Sequence, residues 1–234
     1  MKDTMDLNPA SSLNSVLDAL AEPLFFGGEI PRDQRVAAAR WIAARQGLPR
    51  SYGGMFAPTD GDAKGIRLFT GEPVVSRAGI GHLLGEEACR ILTVLEVKEP
   101  VVQTALHRAV GNMSELLESS EKRGYDTSMY CCGTCSSGYW RNLALGIFPR
   151  SEERLHRGLR RLKDLRNEEG RWQKFPFYHT SLALVEIGPS LAKDELRYAA
   201  RTWERILPRL ARAKDRYAQR RASVGRRLLE LCSS

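Results

Sequence analysis

Apolar residues recur along most of the chain at the three- and four-residue spacing of one helix face. Between residues 33 and 46, for example, Val36, Ala39 and Ala43 fall on one stripe, while Arg35 and Arg40 lie mostly off it. Proline near the start of such a stretch, and glycine or proline after it, mark where helices begin and end. The pattern predicts helices over 33–46, 77–95, 101–121 and about 132–147, one from Ser151, and others over 177–187, 190–210 and 213–231.

Sequence typical of β-strands is nearly absent. The best candidate is the short segment 65–71, which is bounded by glycines and which we interpret as part of an ordered loop. It lies within a long connection, 48–74, that is rich in Pro, Gly, Asp and Thr. Connections of this length are often binding loops or lids. The sequence therefore predicts an all-α fold with one long ordered loop, which we expect to lie over the functional site.

Three apolar helix ends form an internal repeat. Segments 90–97, 141–147 and 181–187 each end a helix, and each is followed by a turn marked by Pro or Gly and then by a more charged helix. Their spacing of about 40–50 residues is that of a helix-pair repeat. We therefore expect an array of about four antiparallel helix pairs, each with an apolar inner and a charged outer helix, in a single domain over 1–234.

A glycine–aromatic turn precedes several of the predicted inner helices: Ser51-Tyr52-Gly53-Gly54, Gly124-Tyr125 and Gly170-Arg171-Trp172. In this respect the chain resembles the α/α-toroid of terpenoid cyclases and protein prenyltransferases, whose repeats carry such a turn before an inner helix. The resemblance implies a ring-like barrel of helix pairs. The Asp-x-Asp-Asp and Asp-Asp-x-x-Asp motifs and the Asp-x-Cys zinc pattern of those enzymes are absent from the sequence. The resemblance therefore leaves the chemistry open.

Composition narrows the class of protein. Of the 234 residues, 42% are hydrophobic and 27% are charged, which is typical of a globular chain. Five cysteines are too few and too unevenly spaced for a disulfide-scaffolded secreted domain. No apolar run approaches the roughly 18 residues of a membrane-spanning helix, and Met1–Asp6 lacks the pattern of a signal peptide. We expect a soluble, cytoplasmic protein.

Three of the five cysteines, Cys131, Cys132 and Cys135, lie within five positions. The C-x-x-C spacing lets thiolates converge on one metal ion, such as zinc or iron, or form a small disulfide ring. A predicted helix start near Cys132 adds a reason for reactivity, because the free amides of a helix N-terminus stabilise a thiolate. All three are candidate metal ligands, and Cys132 and Cys135 are candidate catalytic thiols. The alternative is that they pack beneath a tight helix–helix contact.

Two further sets of side chains fit the same chemistry. On the predicted helix 77–95, His82, Glu86 and Cys89 are four and three residues apart, so they share a face and could bind Zn²⁺ or a similar cation. His179 could act as a catalytic general base or as a metal ligand. In a closed ring of helix pairs, all three sets would gather at one mouth of the barrel. Alternatively, His82 and Glu86 form a local pair, Cys89 lies in the core, and His179 is a packing residue.

Residues near the glycine-marked turns could line a pocket for a small apolar or lipid-like ligand. Arg67 could hold an anionic group of such a ligand through a bidentate contact. The other candidates for ligand binding are Tyr52, Met55, Phe56, Trp172, Phe177 and Tyr178. The alternative is that these apolar residues form ordinary core and that Arg67 is solvated.

Positive charge is concentrated near the C-terminus. Between Arg201 and Arg227 the chain has ten basic and two acidic residues, an excess that equals the net charge of +8 of the whole sequence. The basic C-terminal helices of 201–234 could attract nucleic-acid phosphates, an anionic membrane surface or a partner protein, or be a solvated outer face. The leucine-rich segment 228–232 could close the ring of helices or make an oligomer contact.

Two functions follow from these patterns. The first is a small toroid-like enzyme or ligand-binding protein with a cysteine-based metal or reactive-thiol site at the mouth of the helix barrel. The second is a non-catalytic helical-repeat scaffold that binds a protein, nucleic acid or anionic membrane through its basic C-terminal helix. A terpenoid cyclase or prenyltransferase is a third hypothesis, which the missing acidic motifs disfavour. The sequence leaves open whether the protein is an enzyme and which substrate it would take.

Overall fold

The protein is all-α, as its sequence predicts. The computed structural model describes residues 11–233, and these residues form nine α-helices and one small antiparallel sheet. The helices are α1 (Leu13–Phe26), α2 (Arg32–Ala43), α3 (Arg77–Leu95), α4 (Pro100–Lys122), α5 (Gly133–Ala144), α6 (Ser151–Asp164), α7 (Phe177–Ile187), α8 (Pro189–Arg212) and α9 (Arg216–Ser233). The sheet consists of β1 (Ile66–Arg67) and β2 (Pro73–Val74), in which Ile66 pairs with Val74.

The observed helix bounds agree with the predicted ones where the apolar stripe has clear stop signals. α3 and α7 begin and end where the spacing predicts. α1 differs, because the sequence analysis predicts no helix there. It begins at a Ser12 cap, whose hydroxyl accepts a hydrogen bond from the amide of Ser15 at 3.1 Å. Its buried stripe includes Leu13, Val16 and Leu17, which have the spacing of an amphipathic helix.

The chain forms two compact units. The first unit takes in the described residues up to Arg67, together with Pro73–Tyr125 and Ile147–Pro149. The second takes in Leu68–Glu72, Asp126–Gly146 and the described residues from Arg150 onward. The single domain over 1–234 and the toroid-like ring of helix pairs stay predictions.

The first unit is built around α3. Thirteen of the 19 residues of this helix are buried, and it packs against α1, α2 and α4. Part of the long loop is fixed by Asp62, a fully buried carboxylate. Asp62 accepts hydrogen bonds from the amides of Leu13 and Asn14, both at 3.1 Å, and from the amide of Thr59 at 2.8 Å. One buried acid thus caps the start of α1 and orders the loop.

The second unit is built around α7, which packs against α5, α8 and α9. The loop segment Leu68–Glu72 belongs to this unit. Arg220 and Arg221 of α9 donate to backbone carbonyl oxygens of the segment at 3.2 and 2.6 Å. At its end, Glu72 Oε1 accepts a hydrogen bond from the amide of His179 at 2.9 Å and so caps the first turn of α7. Buried and partly buried hydrogen bonds therefore order this part of the loop as well.

Extensively buried helices alternate with amphipathic ones along the chain. α3, α5 and α7 are buried over most of their length, whereas α4, α6 and α8 each bury one stripe. Each unit also has a short antiparallel bridge at a glycine–aromatic turn: Gln46 pairs with Phe56 in the first, and Arg166 with Trp172 in the second. From α3 to α8, extensively buried helices and amphipathic helices therefore alternate in chain order, whereas their placement as inner and outer helices and closure into a ring stay predictions.

The helices do not include a membrane span: within residues 11–233, none is long and apolar enough to cross a bilayer. The prediction made for Met1–Asp6, that it lacks a signal peptide, lies outside the described residues. The cytoplasmic location stays a prediction.

Candidate metal centre

The three neighbouring cysteines lie where α5 begins. Cys132 is the N-terminal cap of this helix, and its Sγ accepts a hydrogen bond from the amide of Cys135 at 3.5 Å. Ser136 fixes the turn, since its hydroxyl donates to the carbonyl oxygen of Cys132 and accepts from the amide of Tyr130, both at 2.9 Å. The helix start that the sequence predicts near Cys132 is confirmed. It places thiol groups beside the free amides of a helix N-terminus.

Small residues let the start of α5 approach its neighbours closely. A Cβ atom on Gly133 would come within 2.6 Å of Cγ of Phe175 and closer still to the carbonyl oxygen of Lys174, so only glycine fits here. One helical turn further on, Ser137 hydrogen-bonds with Thr180 of α7 at 3.0 Å. Lys174 has a φ of +64°, a left-handed conformation that residues other than glycine rarely adopt. The start of α5 is therefore held by close packing on the segment that leads into α7.

The sulfur atoms of Cys131, Cys132 and Cys135, which we call the cysteine cluster, all lie within 4.8 Å of one another. In a tetrahedral zinc site with Zn–S bonds of about 2.3 Å, the ligand sulfurs are about 3.8 Å apart. Small side-chain rotations would therefore bring all three onto one ion. Cys131 and Cys132 are exposed and Cys135 is buried, so one side of such an ion would face solvent. Within residues 11–233, no other three His, Cys, Asp or Glu side chains form such a group.

The surroundings of the cluster make its thiols unequal. Partial burial alone would raise the pKa of Cys132, but hydrogen bonds from the amides of Cys135 and Thr134 and from the neighbouring thiols outweigh burial and lower this pKa. At Cys131 the opposite holds, because burial and then the negative charge of Cys132 raise the pKa. Cys132 is therefore expected to ionise before Cys131.

We expect alkylation of the native protein to follow this order. Because the thiolate is the nucleophile, iodoacetamide should modify Cys132 faster than Cys131, and modification of Cys131 should begin at higher pH than that of Cys132. Cys89 is fully buried and should react only after unfolding. Mass-spectrometric mapping of the alkylated peptides over a pH series measures the order. Faster modification of Cys131 than of Cys132 throughout the series would contradict it.

His82, Glu86 and Cys89 share one face of α3, as predicted, but in the described part of the chain they are not grouped closely enough to hold a metal ion. His82 Nε2 and Glu86 Oε1 are 3.0 Å apart in the protein interior, and the ring of Tyr52 stacks on His82 with centroids 4.3 Å apart. Burial, and then the negative charge of Glu86, raise the pKa of Cys89 far above its usual value. The structure thus favours a local His–Glu pair with a protonated core cysteine beside it.

His179 is buried in the first turn of α7, in the second unit. It is not a member of the cysteine cluster. His82 lies in the first unit. The expected gathering of His82, His179 and the cysteine cluster at one barrel mouth therefore stays a prediction, as does a role of His179 in general base catalysis or metal binding.

The predicted ligand-binding residues of the first unit differ in their exposure. Met55 and Phe56 are fully buried. Tyr52 is half-buried and stacks on His82, as described above. Arg67 is exposed on β1. A cleft of about 330 Å³ in this unit is lined by other residues.

The predicted ligand-binding residues of the second unit pack together. The indole Nε1 of Trp172 donates to Glu195 at 2.7 Å, and its ring stacks on Phe177 with centroids 6.0 Å apart. The guanidinium of Arg221 lies 4.3 Å from the centre of the Tyr178 ring. A cleft of about 600 Å³ in this unit is lined by none of these residues. The apolar ligand pocket therefore stays a prediction.

The sequence analysis missed the residues that shape the cysteine cluster. Gly133 permits the close approach, and Ser136 and Ser137 make the hydrogen bonds that fix the turn and join α5 to α7. A signal was present, because a run of glycine and serine inside a predicted helix is typical of close helix packing. The sequence analysis also missed Glu195, which accepts a hydrogen bond from Trp172. No local pattern could have indicated this pair, since the two residues are 23 positions apart.

Comparisons with protein-family models, with curated proteins and with solved structures gave no match. The resemblance to the α/α-toroid enzymes therefore stays a prediction. A functional assignment rests on the geometry of the chain itself.

Proposed function

We propose that this protein is an enzyme or ligand-binding protein whose functional centre is a metal ion, zinc or iron, held by the cysteine cluster. One observation carries the proposal: the sulfur atoms of Cys131, Cys132 and Cys135 lie within 4.8 Å of one another at the start of α5. Soft thiolate ligands favour zinc and iron over magnesium or calcium. The toroid-like arrangement of helix pairs is part of the same proposal.

Exposure and ionisation favour a metal centre over simple packing. Cysteines that serve only as small apolar residues are usually buried, whereas Cys131 and Cys132 are exposed. The lowered pKa of Cys132 also supplies a thiolate at lower pH than an ordinary cysteine would. The partial positive charge of the α5 N-terminus would offset part of the negative charge that the thiolates bring together.

Three protein ligands leave one position of a tetrahedral ion open. Structural zinc sites are closed by four protein ligands, whereas catalytic sites keep a position for water or substrate. An ion in the cluster would polarise a bound ligand or activate water there. A metal-free form of the site is the alternative, in which Cys132 acts as a nucleophilic or redox-active thiol with Cys135 as its resolving partner.

The test is the metal content of protein that is purified under nitrogen without affinity metals. We expect about one equivalent of zinc or iron. Loss of a residue that only supports a metal ligand costs up to about 100-fold in metal affinity. Because the three cysteines would bind the ion directly, each of the substitutions C131S, C132S and C135S should weaken metal binding by more than that. C232S is the matched control, because Cys232 lies at the C-terminal end of α9 outside the cluster. Elemental analysis and metal titration of each variant measure the effect.

The opposite result is equally clear. Five free thiols in the denatured protein without bound metal, together with no binding when Zn²⁺ is titrated into the native protein, would overturn the metal centre. Rapid alkylation of Cys132 in that same protein would then assign the cluster to the reactive-thiol alternative. Slow alkylation of all three cysteines would leave them as packing residues.

A further inference from the structure

The outer face of α8 carries a row of arginines. Arg201, Arg205, Arg209 and Arg212 are spaced by four, four and three residues, so they share one helix face, and all four are exposed. The opposite face includes Leu196 and Trp203, which are fully buried in the second unit. We call Arg201, Arg205, Arg209 and Arg212 the arginine row.

In the described part of the chain, the arginine row has no internal partners. Within residues 11–233, none of its four side chains makes a hydrogen bond or an ion pair. Arg220 and Arg221 of α9 differ, because both donate to backbone carbonyl oxygens of the segment Leu68–Glu72. The structure thus divides the basic C-terminal region into arginines that hold the fold together and arginines that are available to a partner.

We propose that the arginine row binds the phosphate backbone of a nucleic acid. Guanidinium groups bind phosphate oxygens in a bidentate manner, and the row contains arginine only. With a rise of about 1.5 Å per residue, neighbouring charges are about 6 Å apart and the row is about 16 Å long. A row of that length is longer than a single small anion. It matches about five phosphates of one nucleic-acid strand, because successive phosphates of a strand are about 3.4 Å apart along the helix axis.

A membrane surface fits the same region less well. Amphipathic helices that lie on a bilayer insert Trp, Phe or Leu side chains into it, whereas the apolar face of α8 is buried in the second unit. The exposed large hydrophobic residues of the described chain all lie outside α8 and α9. They are Phe26, Leu48, Val75, Val101, Tyr125 and Leu145.

Acidic residues near the arginine row allow a second test, in which nucleic-acid binding should become stronger instead of weaker. Glu168 and Glu169 line the cleft of about 600 Å³ together with Arg201 and Arg205. Their negative charge would repel phosphate. Their replacement by glutamine should therefore strengthen nucleic-acid binding, an effect that a merely structural role of the row would not produce.

The experiment measures fluorescence anisotropy of a labelled 20-nucleotide single strand and of a duplex over a series of salt concentrations. The variant R201Q/R205Q/R209Q/R212Q should bind at least about tenfold more weakly at 100 mM salt, and the slope of log K against log salt should fall by about three. The matched control R32Q/K98Q/R108Q/K122Q removes four exposed positive charges from the first unit. Glutamine is a good helix former, and thermal melting verifies that both variants fold.

Equal losses in the two variants would overturn the proposal, because they would reflect net charge alone. An unchanged salt slope in the row variant, or weaker binding by E168Q/E169Q, would overturn it as well. If only vesicles containing phosphatidylserine bind, and the row variant loses that binding, the surface belongs to a membrane instead. Metal content should be the same in all these variants, so failure here is distinguishable from failure of the cysteine centre.

Discussion

Replacing Glu195 with alanine is expected to lower the free energy of unfolding by about 3–4 kcal/mol. The Glu195 side chain is almost fully buried, and it accepts hydrogen bonds from Arg166 at 2.6 and 3.1 Å and from the indole of Trp172 at 2.7 Å. Its removal would leave a half-buried guanidinium and a buried indole N–H without their acceptor. Buried polar groups that lose their hydrogen-bond partner cause the largest losses of stability among polar substitutions.

Urea unfolding of E195A and of two related variants measures the effect. E195Q keeps an acceptor oxygen and the side-chain shape, so it should lose clearly less stability than E195A. D194A removes an exposed carboxylate that pairs with Lys163 at 3.1 Å, and exposed pairs contribute about 1 kcal/mol or less. An E195A loss no larger than that of D194A would show that the buried hydrogen bonds do not stabilise the second unit.

The same carboxylate explains why the turn before α7 is ordered. Arg166 and Trp172 form the antiparallel bridge of this turn, and Glu195 binds both side chains. Tyr198, one helical turn further along α8, accepts a hydrogen bond from the amide of Asn167 at 2.9 Å. The glycine–aromatic turn that the sequence analysis singles out is therefore held from α8. Its local sequence marks the turn but not the residues that fix it.

Local spacing predicted the helices well, because helix formation depends on short-range patterns. α3 and α7 follow the apolar periodicity between clear stop signals, and the i, i+4 spacing of His82 and Glu86 predicts the pair that forms. The same spacing carries no information on burial. The fully buried environment of Cys89, which keeps its thiol protonated, comes from the packing of α3 among the other helices of its unit.

The cysteine cluster was predictable for a related reason. Its three members lie within five residues, so a single turn at a helix start is sufficient to bring them together. The proposed grouping with His82 and His179 depends instead on the path of the whole chain, which no local pattern determines. Local patterns also do not determine the role of aromatic residues such as Phe56 and Trp172, since the protein core and an apolar pocket are built from the same residue types.

Replacing Gly133 with alanine is expected to cost about 1–3 kcal/mol of stability, the usual cost of overpacking, and to disrupt the cysteine cluster. The added methyl group would meet the backbone of Lys174 and the ring of Phe175, so α5 or the segment before α7 must shift. Because Gly133 directly follows Cys132, a shift of α5 would move the cap and separate the three sulfur atoms. Metal affinity and the selective alkylation of Cys132 should both fall.

A glycine in open space supplies the matched control for this substitution. Gly111 lies within α4, and a Cβ atom there would meet nothing within 4 Å. G111A should therefore raise stability by up to about 1 kcal/mol, because alanine favours the helix. Thermal melting, zinc titration and alkylation of both variants separate packing from helix propensity. If G133A binds zinc as G111A does and melts at the same temperature, the close approach of α5 to the 174–175 segment does not position the cluster.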